Sequence, residues 1–199
     1  MLRPYAPLDL PGLRDVCIRT ADGGDDARAL YANPDIVPAV FPEPYVVLEP
    51  DLAFVLEDDD GGIAGYVLGT ADTEEFVRRY RDVWLPSVAD RFPMPAGEPQ
   101  GRDERMARLL HWPEWMLFPE LADLPAHLHI DILPSHQGQG LGRALVTRLV
   151  TELSARGVAG LHADVSMGNR GSQHFFERLG FERIDAEGPI RVVHFGLRL

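Results

Sequence analysis

The run Gln137-Gly138-Gln139-Gly140-Leu141-Gly142-Arg143 is the stretch of this 199-residue chain best suited to holding a ligand. Glycines let the backbone approach a bound group closely, and a helix that begins there points unpaired N–H groups at an anion, so the chemistry is phosphate binding. Two familiar phosphate loops do not fit. A Walker loop needs Gly-Lys-Ser/Thr and the chain has no Lys, while a dinucleotide fold places its Gly-rich turn after the first strand with an acid about 20 residues on. Just upstream, His127-Leu128-His129-Ile130-Asp131-Ile132 alternates, so His127, His129 and Asp131 share one face of a strand and can exchange protons with a substrate there. A zinc hydrolase with His-x-His-x-Asp-His is excluded, because Ile132 stands where the last His belongs and no late histidine set follows; no metal is expected. No Gly-x-Ser-x-Gly occurs, which removes the triad hydrolases. The single thiol, Cys17, is expected on a first helix away from both motifs, as a buried apolar residue.

The elements that must position these residues follow from periodicity. Leu2 to Tyr5 reads as a short strand, Leu8 to Thr20 as a helix with Pro11 in its first turn, and Leu52 to Leu56 with Ile63 to Gly69 as an antiparallel hairpin. The acidic triplet Asp58-Asp59-Asp60 between them is a solvated turn. From Ala71 to Pro125 the pattern becomes rich in Trp and Pro, predicting two or three short helices, among them one capped near Thr73 and one over Arg102 to His111. The last third alternates: strand Ala126 to Leu133, helix Leu141 to Arg156 closed by Gly157, strand Gly160 to Val165, helix Arg170 to Leu179, and strands near Phe181 to Ile184 and Ile190 to Leu199. This order predicts an α/β (α+β) fold, a mixed, mostly antiparallel twisted sheet of six or seven strands with helices on both faces, in one domain over residues 1–199. The last strand is expected to lie exposed, where it could pair across a homodimer.

The formal charge of −12 argues against nucleic acid, whose phosphates demand a basic surface, and favours a cationic partner. No apolar run approaches the roughly 20 residues of a membrane span. One Cys and no charged-then-apolar leader point to a reducing cytoplasm.

Two motifs together carry a resemblance. Gln137, Gly140 and Gly142 match the Gln/Arg-x-x-Gly-x-Gly/Ala signature of the GNAT (N-acetyltransferase) superfamily, and Asn169 with Phe175-Phe176-Glu177-Arg178-Leu179-Gly180-Phe181 matches its downstream pattern. The chain also resembles a narrower group, the acetyltransferase-like C-terminal domain of nucleocytoplasmic O-GlcNAcases and its bacterial relatives. The carrying residues are Arg3-Pro4-Tyr5, Phe54-Val55-Leu56-Glu57-Asp58, Gly65-Tyr66-Val67-Leu68-Gly69-Thr70, Trp84-Leu85-Pro86-Ser87 and the helical insertion at about 71–125.

The resemblance implies acetyl-CoA as co-substrate, a splayed sheet centre, and direct transfer to a primary amine: a small amine, an aminosugar or a peptide or protein amine. It implies that Gln137, Gly138, Gln139, Gly140, Leu141, Gly142 and Arg143 hold the pyrophosphate. The main chain of Ile132 and Leu133 pairs with the pantetheine arm, and Asn169 and Phe176 line the coenzyme, with Phe175 in the core. It places Asp131 beside the acceptor, to take the amine's proton or hold it as a cation; His129, two residues away on the same face, is a candidate to supply the base or tune Asp131, or else a structural histidine. Phe176 departs from the family's usual Tyr, whose hydroxyl protonates the leaving thiolate; a catalytically impaired coenzyme-binding module is therefore the alternative reading. Trp84, Trp112, Trp115 and Tyr80 are candidates for an acceptor wall or for core.

Overall fold

The computed structural model describes residues 1–186 and 190–199. In chain order the elements are β1 (Leu2–Pro4), α1 (Leu10–Ile18), α2 (Ile36–Val40), α3 (Pro42–Leu48), β2 (Ala53–Glu57), β3 (Ile63–Thr70), α4 (Thr73–Arg79), α5 (Leu85–Val88), α6 (Arg102–Leu110), β4 (Ala126–Ile132), α7 (Leu141–Ala155), β5 (Gly160–Ser166), α8 (Arg170–Arg178), β6 (Glu182–Ile184) and β7 (Val192–Arg198). The strands form one seven-stranded sheet in the order β1-β2-β3-β4-β5-β7-β6. Every neighbouring pair is antiparallel except β4 and β5.

Strand alternation decides which core each side chain joins. Tyr66 and Leu68 of β3 pack with Leu13, Cys17, Val37, Phe76 and Leu110 under the helices of the first half. Val67, between them, turns to the opposite face with Leu128, Leu145, Leu149, Phe176 and Phe195, under α7 and α8. Each face is apolar enough to seat a helical layer, and burying one Leu or Phe side chain contributes about 1.5–3 kcal/mol.

The break in the sheet positions the site. Strands β4 and β5 pair only at Ala126↔Leu161 and His127↔His162, whereas β4 stays in register with β3 from Thr70↔His127 to Gly65↔Ile132. Beyond His127 the inner edge of β4 is therefore open along Leu128 to Ile132, and a wedge forms between the two parallel strands.

Three local expectations change. Asp72, not Thr73, caps α4, its side chain accepting from Glu75 N at 3.0 Å. Residues 36–48, unassigned from sequence, form the short helices α2 and α3; their Pro38, Pro42 and Pro44 broke the periodic signal. The last strand is not an edge, because β7 lies between β5 and β6; the sheet ends at β1 and β6.

Candidate active site

A cleft of about 1060 Å³ fills the wedge between β4 and β5, and its main-chain turn and its sheet face differ in chemistry. At one end lies the turn into α7. Gly138 and Gly140 adopt φ of 73° and 79°, conformations open to glycine, and Gly140 is the residue that caps the helix. The first backbone bond into α7 is Ala144 N to Gly140 O, so the N–H groups of residues 138–143 have no partner among the described residues. Six consecutive donors, joined to the positive end of a fifteen-residue helix, form a cradle for anionic oxygens. Gly142 is needed for a different reason: a Cβ there would meet the Phe175 ring at 2.9 Å. Arg143, Arg170 and Arg178 line the same end, and Arg143 is steadied by donating to Arg178 O at 2.9 Å. Three arginines thus line the cleft of a strongly acidic chain.

The main chain of β4 supplies the wall. Leu133 N–H donates to Ala64 O and Leu133 O accepts from His136 N, so both of its groups are committed. By the alternation of an antiparallel ladder, Ile132 and Ile130 turn their main-chain groups the other way, into the wedge. Ile132 O is met there by the Gln137 side-chain amide at 2.8 Å. Across the wedge, Asn169 caps α8 through Oδ1, accepting from Ser172 N at 3.0 Å, and keeps its amide N–H groups for other partners. Phe176 lines the cleft while its ring packs against Phe175, Phe181 and Phe195 in the core; Phe175, only partly buried, lies over Gly142.

On one sheet face β4 carries His127, His129 and Asp131, and the structure gives them different surroundings. His127 is fully enclosed between Thr73 Oγ1 at 2.8 Å and Tyr45 hydroxyl at 2.7 Å, and burial pushes its pKa well below the usual histidine range. It is a neutral structural residue. His129 and Asp131 reach the cleft, with His129 Nε2 3.1 Å from Asp131 Oδ2. The hydroxyl of Tyr66, directly opposite Asp131 on β3, donates to the same Oδ2 at 2.6 Å and lies 3.1 Å from His129 Nε2. Phe41 stacks on the His129 ring at 5.5 Å and 12°. Asp131 is thus a carboxylate aimed by a phenol and an imidazole, with Oδ1 free of protein partners among the described residues, as a base or cation anchor requires.

Sequence reasoning missed two members of this cluster. Cys17 is buried, as expected, but not remote: its Sγ, His129 and Asp131 present ligand-type atoms all within 4.8 Å of one another. Burial first, and the Asp131 charge second, hold its thiol well above the ordinary cysteine range. Tyr66 entered only as part of a matched strand, and burial keeps its phenol protonated. A second His-backed carboxylate faces the cleft from β5: Asp164 Oδ1 lies 2.7 Å from Nδ1 of the buried His194. His162 is neutralised by burial, and its Nδ1 meets Leu124 O at 2.8 Å.

The aromatic insertion stands behind the acceptor end without lining it. Trp84 donates to Ala39 O at 2.9 Å and, with Tyr80, belongs to the core. Trp115 meets Phe41 edge-on at 6.3 Å and so buttresses the ring that stacks on His129, while Trp112 is exposed. No helix among the described residues is long and apolar enough to cross a membrane.

Comparison with known proteins agrees with this fold. The acetyltransferase (GNAT) family pattern matches residues 106–181. Protein O-GlcNAcase of Rattus norvegicus is 29% identical over 202 residues, which cover 100% of this chain and 22% of that protein, so the chain spans about a fifth of that relative. The crystal structure of SsHAT is 49% identical with a TM-score of 0.95, covering 100% of this chain and 97% of that one. A phosphinothricin acetyltransferase from Sinorhizobium meliloti, solved in complex with AcCoA, shares the fold at 16% identity and a TM-score of 0.58, over 100% of this chain and 88% of that one.

Proposed function

The chain belongs to the GNAT acetyltransferase family, and on that premise we propose that it transfers the acetyl group of acetyl-CoA directly to a primary amine within a ternary complex. The observation that carries the reading is the row of six N–H donors at residues 138–143, unpaired among the described residues, set at the mouth of a wedge whose sheet face carries Asp131. In this reading residues 1–199 act as one domain, with 71–125 as its helical insertion.

Residues 137–143 hold the pyrophosphate, with Arg143 adding a charge-assisted contact. Ile132, joined by Ile130 in place of Leu133, pairs with the pantetheine arm as an added strand would. Asn169 donates to the arm from the opposite wall, and Phe176 covers the thioester. Acetyl-CoA supplies a thioester carbon open to attack and a thiolate able to leave. Asp131 accepts the proton that the amine must lose, since a lysine-type amine with a pKa near 10.4 is largely protonated at neutral pH. Tyr66 and His129 hold Asp131 in place. The carboxylates of Asp131 and Asp164 together favour a cationic acceptor: a small amine, an aminosugar, or a peptide or protein amine.

A second reading has its own observation. Phe176 offers no hydroxyl to protonate the departing thiolate, so the chain could bind coenzyme A without turnover. Two measurements separate the readings. Acetyl-CoA is expected to raise the melting temperature by mass action in both. Steady-state thiol release with amine acceptors is expected only for the enzyme, and Asp131→Asn should lower it by roughly 10²-fold or more while coenzyme affinity stays within a few fold. Absence of any coenzyme-dependent stabilisation at millimolar concentration removes both readings.

A further inference from the structure

We propose that Cys17, His129 and Asp131 form a binding site for a zinc-class divalent cation, and that an ion held there shuts the acceptor end of the cleft. The three donor atoms lie within 4.8 Å of one another, and His129 Nε2 and Asp131 Oδ2 are 3.1 Å apart. Ligand atoms on a tetrahedral zinc, at bond lengths of about 2.0–2.3 Å, are separated by roughly 3.3–3.8 Å, so closing the site asks for a small approach of the sulfur. The donor set selects the ion. One thiolate, one imidazole and one carboxylate suit zinc and its neighbours, and they do not suit magnesium or calcium, which demand oxygen.

Charge and surroundings agree. Thiolate and carboxylate together neutralise a divalent ion, and among the described residues no Arg pairs with Asp131 to compete for it. The thiol proton leaves to solvent as the metal–sulfur bond forms. The donors stand on two packed elements, α1 and β4, and are held by neighbours of the kind that tune metal sites: Tyr66 hydroxyl on Asp131 at 2.6 Å and Phe41 stacked on the His129 ring. The contact between Tyr66 and His129 Nε2 gives way when that nitrogen ligates. All three residues also line the cleft, which gives an ion an entry route. Three protein ligands with one open position is how zinc is held where it meets small molecules.

The binding stands on geometry alone, whereas the inhibition rests on the acetyltransferase reading, in which Asp131 must be free to take the amine's proton. The full chain is titrated with Zn²⁺ against a chromophoric chelator and, separately, with Co²⁺ under anaerobic conditions. The expected result is one ion per chain at micromolar zinc, with a thiolate-to-cobalt charge-transfer absorption in the near ultraviolet. Cys17→Ala should abolish that band, and Cys17→Ala and His129→Gln should each weaken zinc binding at least tenfold. In turnover, zinc should compete with the amine, leave the KM for acetyl-CoA unchanged, and be reversed by chelator. No stoichiometric ion at micromolar zinc, or a cobalt spectrum without the thiolate band, overturns the site. The cobalt spectrum is read on the unaltered chain, so it decides even if the variants fold poorly. Stoichiometric binding without inhibition of a working enzyme overturns the shut-off; a chain that binds zinc with the thiolate band yet turns nothing over keeps the site and fails the acetyltransferase reading.

Discussion

Tyr66→Phe removes one oxygen and nothing else, from a ring that is fully buried against the first core. That oxygen lies 2.6 Å from Asp131 Oδ2 and 3.1 Å from His129 Nε2, so the substitution leaves the carboxylate with the imidazole alone. A hydrogen bond to a charged group contributes about 1.5–3 kcal/mol, equivalent to roughly 10- to 150-fold in rate if all of it serves to aim the base. The Asp131 side chain is 21% exposed, so water takes over part of the lost contact and the expected fall lies near the lower bound. The assay is thiol release at saturating acetyl-CoA over a range of amine concentrations, with coenzyme affinity measured by calorimetry and the fold checked by thermal melting. The expected result is kcat reduced about tenfold with coenzyme affinity unchanged, because Tyr66 acts through an Asp131 side chain on the sheet face, whereas the cradle at 138–143 is built from main-chain groups of the turn into α7. An unchanged kcat in a folded variant would refute the argument that the phenol aims Asp131. Equal losses in kcat and in coenzyme affinity would show instead that Tyr66 supports β4 as a whole.

Gly142→Ala places a methyl 2.9 Å from the Phe175 ring, well inside the 3.5–4.0 Å optimum for carbon contacts; it should cost about 1–3 kcal/mol in urea denaturation and weaken coenzyme binding. Gly140→Ala meets no heavy atom within 4 Å, and its cost comes from the φ of 79°, about 1–2 kcal/mol; equal stability of both variants and the parent would contradict these assignments. Phe176→Tyr should raise turnover and leave coenzyme affinity nearly unchanged, since it restores a hydroxyl beside the thioester; a lowered melting temperature with no gain in rate would mean that the new hydroxyl points into the ring cluster of Phe175, Phe181 and Phe195. Burial depresses the pKa values of His127 and His162. The unfolded chain therefore binds more protons just below the ordinary value of about 6.5, and stability present above that pH is lost as pH falls, by up to about 1.4 kcal/mol per pH unit for each residue. Urea midpoints that stay level from neutral to mildly acidic pH would contradict it.

What could be read from the sequence is what depends on local spacing. The cradle was legible because glycines, a helix start and a preceding strand lie within a dozen residues, and the division of β4 into two faces follows from alternation alone. The surroundings of Asp131 were not legible in the same way. Cys17 and Tyr66 reach it because α1 packs on β3 and because Tyr66 stands opposite Asp131 in the β3–β4 register, and neither relation has a local signature. Cys17 is distant from Asp131 along the chain and near it in space, because a first helix packed on a central strand removes that distance. His127 and His129 look alike by alternation, yet burial separates them, because only His129 stands past the point where β5 leaves β4. The place of β7 between β5 and β6 had no signature either, since a C-terminal strand has no pattern that says which neighbours flank it.

The divergence of β4 from β5 explains why one strand can serve two ligands without mixing their chemistry. While β5 is paired, at Ala126 and His127, the inner edge of β4 is closed and the side chain of His127 is sealed under α3 and α4. Once β5 leaves, the edge opens in the plane of the sheet and the face opens perpendicular to it. Main-chain groups of Ile130 and Ile132 are then available to a ligand lying in the plane, and side chains of His129 and Asp131 to one approaching from the face. An agent acting on the face, whether a Tyr66 substitution or an ion on Cys17, should therefore alter the amine step and spare coenzyme binding. One acting on the 138–143 turn should do the reverse. A single variant of the face cluster that weakens coenzyme affinity as strongly as a glycine-turn variant, with the fold intact, would show that the two directions are not independent.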